Sequence, residues 1–237
     1  MSSVASKLLA AAAGSSVEAI DDDWDSVVLL LDGDGTNGST TFTDRKGIHS
    51  QTAVGNTQVS TSTKKYGTGS IAFDGDGDEL LVAATSSYLT FGTGNFTIET
   101  WAYFNSLGGL KVLFDWRDAS GPQGGYITLY FSGSTLYLYD GSGNVVNSGS
   151  LSTGQWYHIA LTRSSGTTRM FVDGTLKTSA SNSTNYQSPQ NGYLTIAGLN
   201  TDFPLSCYLD DIRLTKGVAR YTASFTPPTQ AHPTSGS

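Results

Sequence analysis

The sequence predicts an all-β chain, folded as a two-sheet antiparallel sandwich behind a short N-terminal helical arm. Ser, Thr and Gly supply 89 of its 237 residues, and Asp outnumbers Glu, which occurs only at Glu18, Glu79 and Glu99. Asp and Gly form turns, whereas Glu and Lys favour helices. From Ser26 onward apolar residues fall in short runs with a period of two, broken by Gly- and Asp-rich turns. Hydrophobic residues make up 38% and aromatic residues 11%, enough for a core and too many for a disordered chain.

Residues 1–25 read as the arm. Ser2 or Ser3 caps a helix, Val4, Leu8 and Ala12 share one face, and Gly14 ends it. So short a helix needs a surface to pack on. Val4, Leu8, Leu9, Ala12 and Trp24 are therefore the expected anchor into a larger assembly, joined to the body by the acidic stretch Asp21–Asp25. The Leu8–Ala13 run falls short of the apolar stretch of a secretory leader, and no leader is expected.

The body spans 26–228. Val27–Leu31 is a continuous apolar strand, and Ile71–Phe73 and Leu80–Val82 flank Asp74-Gly75-Asp76-Gly77-Asp78, which reads as a hairpin turn. Further strands are expected at Phe96–Phe104, Leu110–Trp116, Tyr126–Phe131, Thr135–Tyr139, Trp156–Thr162, Arg169–Val172, Tyr193–Ala197 and Cys207–Leu214. Asp140-Gly141 and Asp173-Gly174 each follow a strand, as hairpin turns do. Pro227-Pro228 stops the last element, leaving 229–237 as a polar tail.

Composition excludes several functions. A net charge of −7 and only 14% charged residues leave no basic stripe for nucleic acid. The single Cys207 excludes an intrachain disulfide and a multi-Cys zinc site. No apolar run reaches the roughly 20 residues of a membrane-spanning helix.

Several segments, in order, carry a resemblance: Asp32-Gly33, Tyr66-Gly67-Thr68-Gly69-Ser70 before Phe73-Asp74-Gly75, Phe96-Thr97-Ile98-Glu99-Thr100-Trp101, Gln155–Leu161 and Phe171-Val172-Asp173-Gly174. The last is Leu209-Asp210-Asp211-Ile212-Arg213-Leu214, followed by Lys216-Gly217-Val218-Ala219-Arg220-Tyr221 and Phe225-Thr226-Pro227-Pro228. Together they resemble the laminin-G-like, concanavalin A-like jelly roll, in the form found in bacteriophage structural proteins. That resemblance implies a jelly-roll sandwich and a virion role, but the fold also serves lectins, adhesion modules and enzymes.

Glycosidases of such folds set carboxylates on one strand face. Glu99 is the only acid on its strand, sharing its face with Trp101 and Tyr103, while Asp210 and Asp211 point oppositely. No catalytic residue is expected. His158 sits within a strand, where a hydrogen-bonded imidazole is expected, and His49 and His232 occupy polar loops without acidic neighbours in sequence. The resemblance implies one structural Ca²⁺ between loops, with Asp32 or Asp34, Asp76 or Asp78, and Asp211 as ligands; plain turn chemistry is the alternative. Among the candidate rings Tyr126, Tyr130, Tyr137, Tyr139, Trp116 and Trp101, the expected sugar platform is Trp116, Tyr126, Tyr137 and Tyr139, with core filling as the alternative.

The expected protein is a non-catalytic virion subunit, either a capsid decoration or tail-associated. It would be homo-oligomeric, would contact other virion proteins and cell-surface glycans, and would neither bind nucleic acid nor enter a membrane. A secreted carbohydrate-binding module in an extracellular setting, or a glycoside hydrolase, is the alternative.

Overall fold

The computed structural model describes residues 19–84, 87–117, 125–189 and 192–236. Fifteen strands follow a 3-10 turn at Trp24–Ser26. They are β1 (Val27–Leu31), β2 (Gln51–Val54), β3 (Gln58–Ser60), β4 (Ser70–Phe73), β5 (Glu79–Ala83), β6 (Phe96–Phe104), β7 (Leu110–Asp115) and β8 (Thr128–Ser132). The remainder are β9 (Thr135–Tyr139), β10 (Asn144–Ser150), β11 (Trp156–Ser164), β12 (Thr167–Val172), β13 (Thr175–Ser181), β14 (Tyr193–Ile196) and β15 (Cys207–Lys216).

Two antiparallel sheets form. One runs β13-β12-β11-β6-β15-β4-β3, with β1 also pairing β15; the other runs β10-β9-β8-β7-β14-β5-β2. Strand alternation builds the core between them. On β6, Phe96, Ile98, Ala102 and Phe104 face inward with the buried side chains of β8 and β9, Leu129, Phe131, Leu136 and Leu138. The other face of β6 carries Thr97, Glu99, Trp101 and Tyr103, and most of it lies beneath the C-terminal segment 217–236.

The all-β sandwich matches expectation, but three readings need correction. Asp74–Asp78 is not a hairpin turn, because β4 and β5 lie in different sheets and the turn carries the chain between them. The tail 229–237 is not free: His232 is buried with its N–H on the Asp211 carboxylate, and the Ser235 carbonyl accepts from Asp21 N–H at 3.0 Å. Asp21 is likewise part of the sandwich, buried against Arg213 and Arg220.

Of the expected anchor, Val4, Leu8, Leu9 and Ala12 lie outside the described residues, as does the expected helix. Trp24 is described and already has a partner in its own chain. Lys46 Nζ sits 4.3 Å from the centre of its ring and donates to its carbonyl at 2.9 Å. Among the described residues, no helix is long and apolar enough to cross a membrane.

Candidate functional site

The outer face of β7–β9 forms a groove of about 270 Å³. Alternation on β8 turns Thr128 and Tyr130 into it, Tyr126 leads into β8, and Tyr139 closes β9. Tyr126 and Tyr139 lie 5.9 Å apart, and Tyr130 is backed by Tyr137 at 5.8 Å in a near-parallel stack. Phe203, 41% exposed, forms one wall, held by its carbonyl accepting from Val112 N–H at 3.0 Å.

Arg117 is fixed at the groove by Asp115 at the end of β7. Its Nε lies 2.9 Å and its Nη2 2.7 Å from Asp115 Oδ2, and its guanidinium sits 5.9 Å from the Tyr126 ring. Burial pushes the Asp115 carboxyl up, with Arg117 pulling the other way. The result is a ring-lined groove with two held cations, Arg117 and Lys111 (whose Nζ donates to the Pro204 carbonyl at 3.1 Å), and tyrosine hydroxyls, the mixture of apolar surface and few placed polar groups typical of small-molecule sites.

The expected sugar platform is thus partly assembled. Tyr139 lines the groove, Tyr126 reaches it from the core at 3% exposure, and Tyr137 stacks beside Tyr130, its cross-strand partner. Trp116 does not belong to it: it is 1% exposed in the core, with its indole N–H donating to the Leu89 carbonyl. Tyr130, an aromatic candidate left out of the expected platform, enters the groove through the pairing of β8 with β9.

The expected calcium ligands do not converge. Among the described residues, no three of Asp32, Asp34, Asp76, Asp78 and Asp211 bring oxygens within 4.8 Å of one another. Asp32 holds Asp34 N–H and Arg45, and Asp34 accepts the amides of Thr68 and Gly69. Asp78 accepts Asn56 N–H and Asp74 N–H, one on each oxygen, both at 2.8 Å. Asp76 is exposed, and Asp211, at φ +56°, holds the His232 amide. Each of these engaged carboxylates fastens a turn or segment, and the set does not fit a Ca²⁺ cage.

A different group of acids and bases does converge, beneath the C-terminal segment. Glu99, on β6, receives Arg213 of β15 through Nε at 2.9 Å and Nη2 at 2.8 Å. His158 Nε2 of β11 lies 3.2 Å from its other oxygen, which also accepts Tyr221 O–H at 2.8 Å, and His232 Nε2 lies 3.8 Å away. Burial would raise the Glu99 carboxyl, yet Arg213, His232 and His158 hold it well below the usual range. Burial pushes His232 down to about 3, and raises Asp210 to about 7 and Asp211 to about 8.

Glu99, His158 and His232 place donor atoms within 4.8 Å, the one such trio among the described residues. Both Glu99 oxygens are already taken by Arg213 and Tyr221, and Glu99 and His158 are fully buried. The cluster therefore reads as an internal brace, shielded from any substrate. His158, expected semi-buried and hydrogen-bonded, is fully buried with Nε2 3.2 Å from Glu99, and His232, expected in a polar loop without acidic partners, meets both Glu99 and Asp211.

The family model described as Concanavalin A-like lectin/glucanases superfamily, of laminin-G type, matches residues 74–220. That is more than half of the sequence, and the chain belongs to this superfamily. No curated protein sequence matches it.

Solved structures agree on the fold. The receptor binding domain of botulinum neurotoxin D is similar over 83% of this chain and 50% of its own, with 16% identity and a TM-score of 0.62. Trypanosoma rangeli sialidase in complex with sialic acid matches over 81% of this chain and 31% of its own, at 15% identity and TM-score 0.60. The binding domain of Paraclostridial Mosquitocidal Protein 1 matches over 81% and 49%, at 14% identity and TM-score 0.59. This chain spans half or less of those proteins, and identities so low establish shared architecture alone.

Proposed function

We propose that the chain is a non-catalytic carbohydrate-recognition module that stacks a saccharide against Tyr130 and Tyr139 in the groove of the seven-stranded sheet. The observation that carries this reading is the convergence of Tyr126, Tyr130, Tyr139 and Phe203 around the Asp115-fixed Arg117. Flat rings offer a face for sugar C–H groups, and a held guanidinium and phenol hydroxyls read hydroxyl positions. Superfamily membership and structural neighbours that include toxin receptor-binding domains support the same class.

What supports a non-catalytic reading is that Glu99 is sealed inside the sandwich and Asp115 is tied to Arg117 at the groove. The setting we propose is an exposed outer layer, a virion surface first and a secreted module second. An acidic surface poor in charge resists nonspecific capture of nucleic acid there.

Screening the protein on a broad glycan array, followed by titration of the best binder against Tyr130→Ala and Tyr139→Ala, tests the reading. Each variant should weaken binding about tenfold, corresponding to roughly 1.4 kcal/mol of lost stacking. Silence across the array, or wild-type affinity in both variants, removes it.

A further inference from the structure

The opposite face of the sandwich carries a second arrangement of rings. The segment 217–236 covers Thr97 and Glu99 on the outer face of β6, and Lys65 and Tyr66 pack on Trp101, while Tyr103 stays partly exposed. Tyr103 pairs across the sheet with Trp156 of β11 and Tyr208 of β15, and Tyr208 continues the same rung to Ala72 of β4 and Gln58 of β3. Five strands thus line up Trp156, Tyr103, Tyr208, Ala72 and Gln58 in one row, each partly exposed.

The three rings stand 5.7 and 5.9 Å apart, edge to face. At Tyr208 the row opens into a cleft of about 480 Å³, within the roughly 300–1,000 Å³ of small-molecule sites. Asn37, Gln58, Asn105 and Asp74 line it, and no Lys or Arg does.

Its polar groups are placed yet unspent. Asn105 is oriented by its amide N–H₂ donating to Ser206 Oγ at 3.3 Å, leaving its carbonyl oxygen to the cleft. Asn37 accepts the Thr61 amide on Oδ1, leaving its N–H₂ group. Among the described residues, the Gln58 amide, the Tyr103 and Tyr208 hydroxyls and the Trp156 indole N–H make no hydrogen bond. Asp74 is held below the ordinary carboxylate range, chiefly by Asn56, so it stays ionised and repels anions.

From this we infer that Trp156, Tyr103 and Tyr208, with the Asn37–Gln58–Asn105 cleft, form a second saccharide site, which takes an uncharged oligosaccharide laid across the strands. Neighbouring strands are about 4.8 Å apart, close to the advance of one sugar unit along an extended glycan, so successive units meet successive strands. Ring faces supply apolar contact, and amide and hydroxyl groups in the cleft supply paired donors and acceptors. The site lies on the far side of the molecule from the tyrosine groove, so one chain holds two glycan segments at once and gains avidity on a dense surface. The two-site statement rests on the proposed function; the row itself does not.

Titrating neutral oligosaccharides (cello-, xylo-, manno- and N-acetylchito-series) into the full chain by calorimetry and NMR tests it. The variants are Trp156→Ala/Tyr208→Ala, Gln58→Ala, and Tyr130→Ala/Tyr139→Ala, each checked for an unchanged fold by circular dichroism. A neutral oligosaccharide should lose a set of shifted resonances at Asn37, Gln58 and Asn105 in the first variant, weaken severalfold in the second, and keep those resonances in the third. Wild-type behaviour of Trp156→Ala/Tyr208→Ala, or no neutral oligosaccharide bound at all, overturns the inference. If the row variant abolishes binding while Tyr130→Ala/Tyr139→Ala changes nothing, the second site stands and the groove reading fails.

Discussion

Arg213 and Glu99 are cross-strand partners on β15 and β6, and the guanidinium donates twice to one carboxylate oxygen, at 2.9 and 2.8 Å. Glu99 is wholly out of water and Arg213 nearly so. The contact is made possible by the bulge between Asp210 and Arg213, where Asp211 takes a left-handed backbone and the register with β6 shifts. That shift turns both Arg213 and Asp211 toward the C-terminal segment.

Breaking this pair exposes the cost of an orphaned buried charge. Glu99→Gln is expected to lower stability by about 3–5 kcal/mol. The double change Glu99→Leu/Arg213→Met should cost clearly less than the sum of the single changes, because neither charge is then stranded. Urea unfolding midpoints measure both; additive losses would show that the two groups act independently.

Through Asp210 and Asp211, stability should fall as pH rises from about 4 to about 8. Asp210 and Asp211, at about 7 and about 8 in the folded chain, sit above their ordinary value of 3.8, so the native state keeps protons that the unfolded chain has released. Their stabilisation is complete below that ordinary value and is lost as pH climbs through 7 and 8. Thermal scans between about pH 5 and 8.5 should show a midpoint that declines and then levels off above about 8, with the decline flattened in Asp210→Asn/Asp211→Asn.

His232 acts in the opposite sense. Buried neutral at about 3 against an ordinary 6.5, it refuses a proton that the unfolded chain accepts. Its contribution is present above 6.5 and is lost as pH falls toward 3, by roughly 1.4 kcal/mol per pH unit. His232→Gln should shallow that acid limb; an unaltered slope would place the acid sensitivity elsewhere.

Gly174 fixes the β12–β13 hairpin to the C-terminal segment. Asp173 and Gly174 both have positive φ, +49° and +70°, and the Gly174 carbonyl accepts from Phe225 N–H at 2.9 Å. A Cβ on Gly174 would strike the Phe225 carbonyl. Gly174→Ala should therefore cost about 2 kcal/mol or more, while Gly166→Ala, equally left-handed but facing open space, should cost about 1. Equal losses at the two sites would remove Phe225 from the explanation.

Asp21 links the chain's beginning to its end through Arg213 and Arg220, with contacts of 2.8 Å to each. Asp21→Asn should lower stability by about 2 kcal/mol, as expected for lost charge-assisted hydrogen bonds. A surface control such as Asp22→Asn should leave the midpoint unmoved.

Most central strands were legible because burial on one face leaves alternating apolar residues, as in Phe96–Phe104 and Thr135–Tyr139. The four strands that sequence reading passed over, β2, β3, β10 and β13, end the two strand paths. The edge strand Thr175–Ser181 is largely exposed and mostly Ser, Thr and Lys, with only Leu176 and Ala180 apolar, so it carries little alternation and resists pairing with other chains. The groove was half legible: two tyrosines spaced by two on β9 signalled a shared face and Tyr130 was a candidate ring, but only the pairing of β8 with β9 put it beside them. The Glu99 cluster was hidden because Arg213 lies 114 residues away and His232 enters from a polar tail. The available hint was a lone Glu and a lone His in the middle of otherwise apolar strands, each needing a partner that only the folded sheet supplies.

The hydrogen bond from Asp21 N–H to the Ser235 carbonyl brings both ends of the sandwich to one spot on its rim. A polypeptide that carried this domain between other segments would enter and leave it at a single doorway. The domain would then hang from its carrier like a pendant, with both ring-bearing faces turned to the surroundings and neither taken up by the join. Such a geometry lets the unit be spliced into a host loop without stretching that loop.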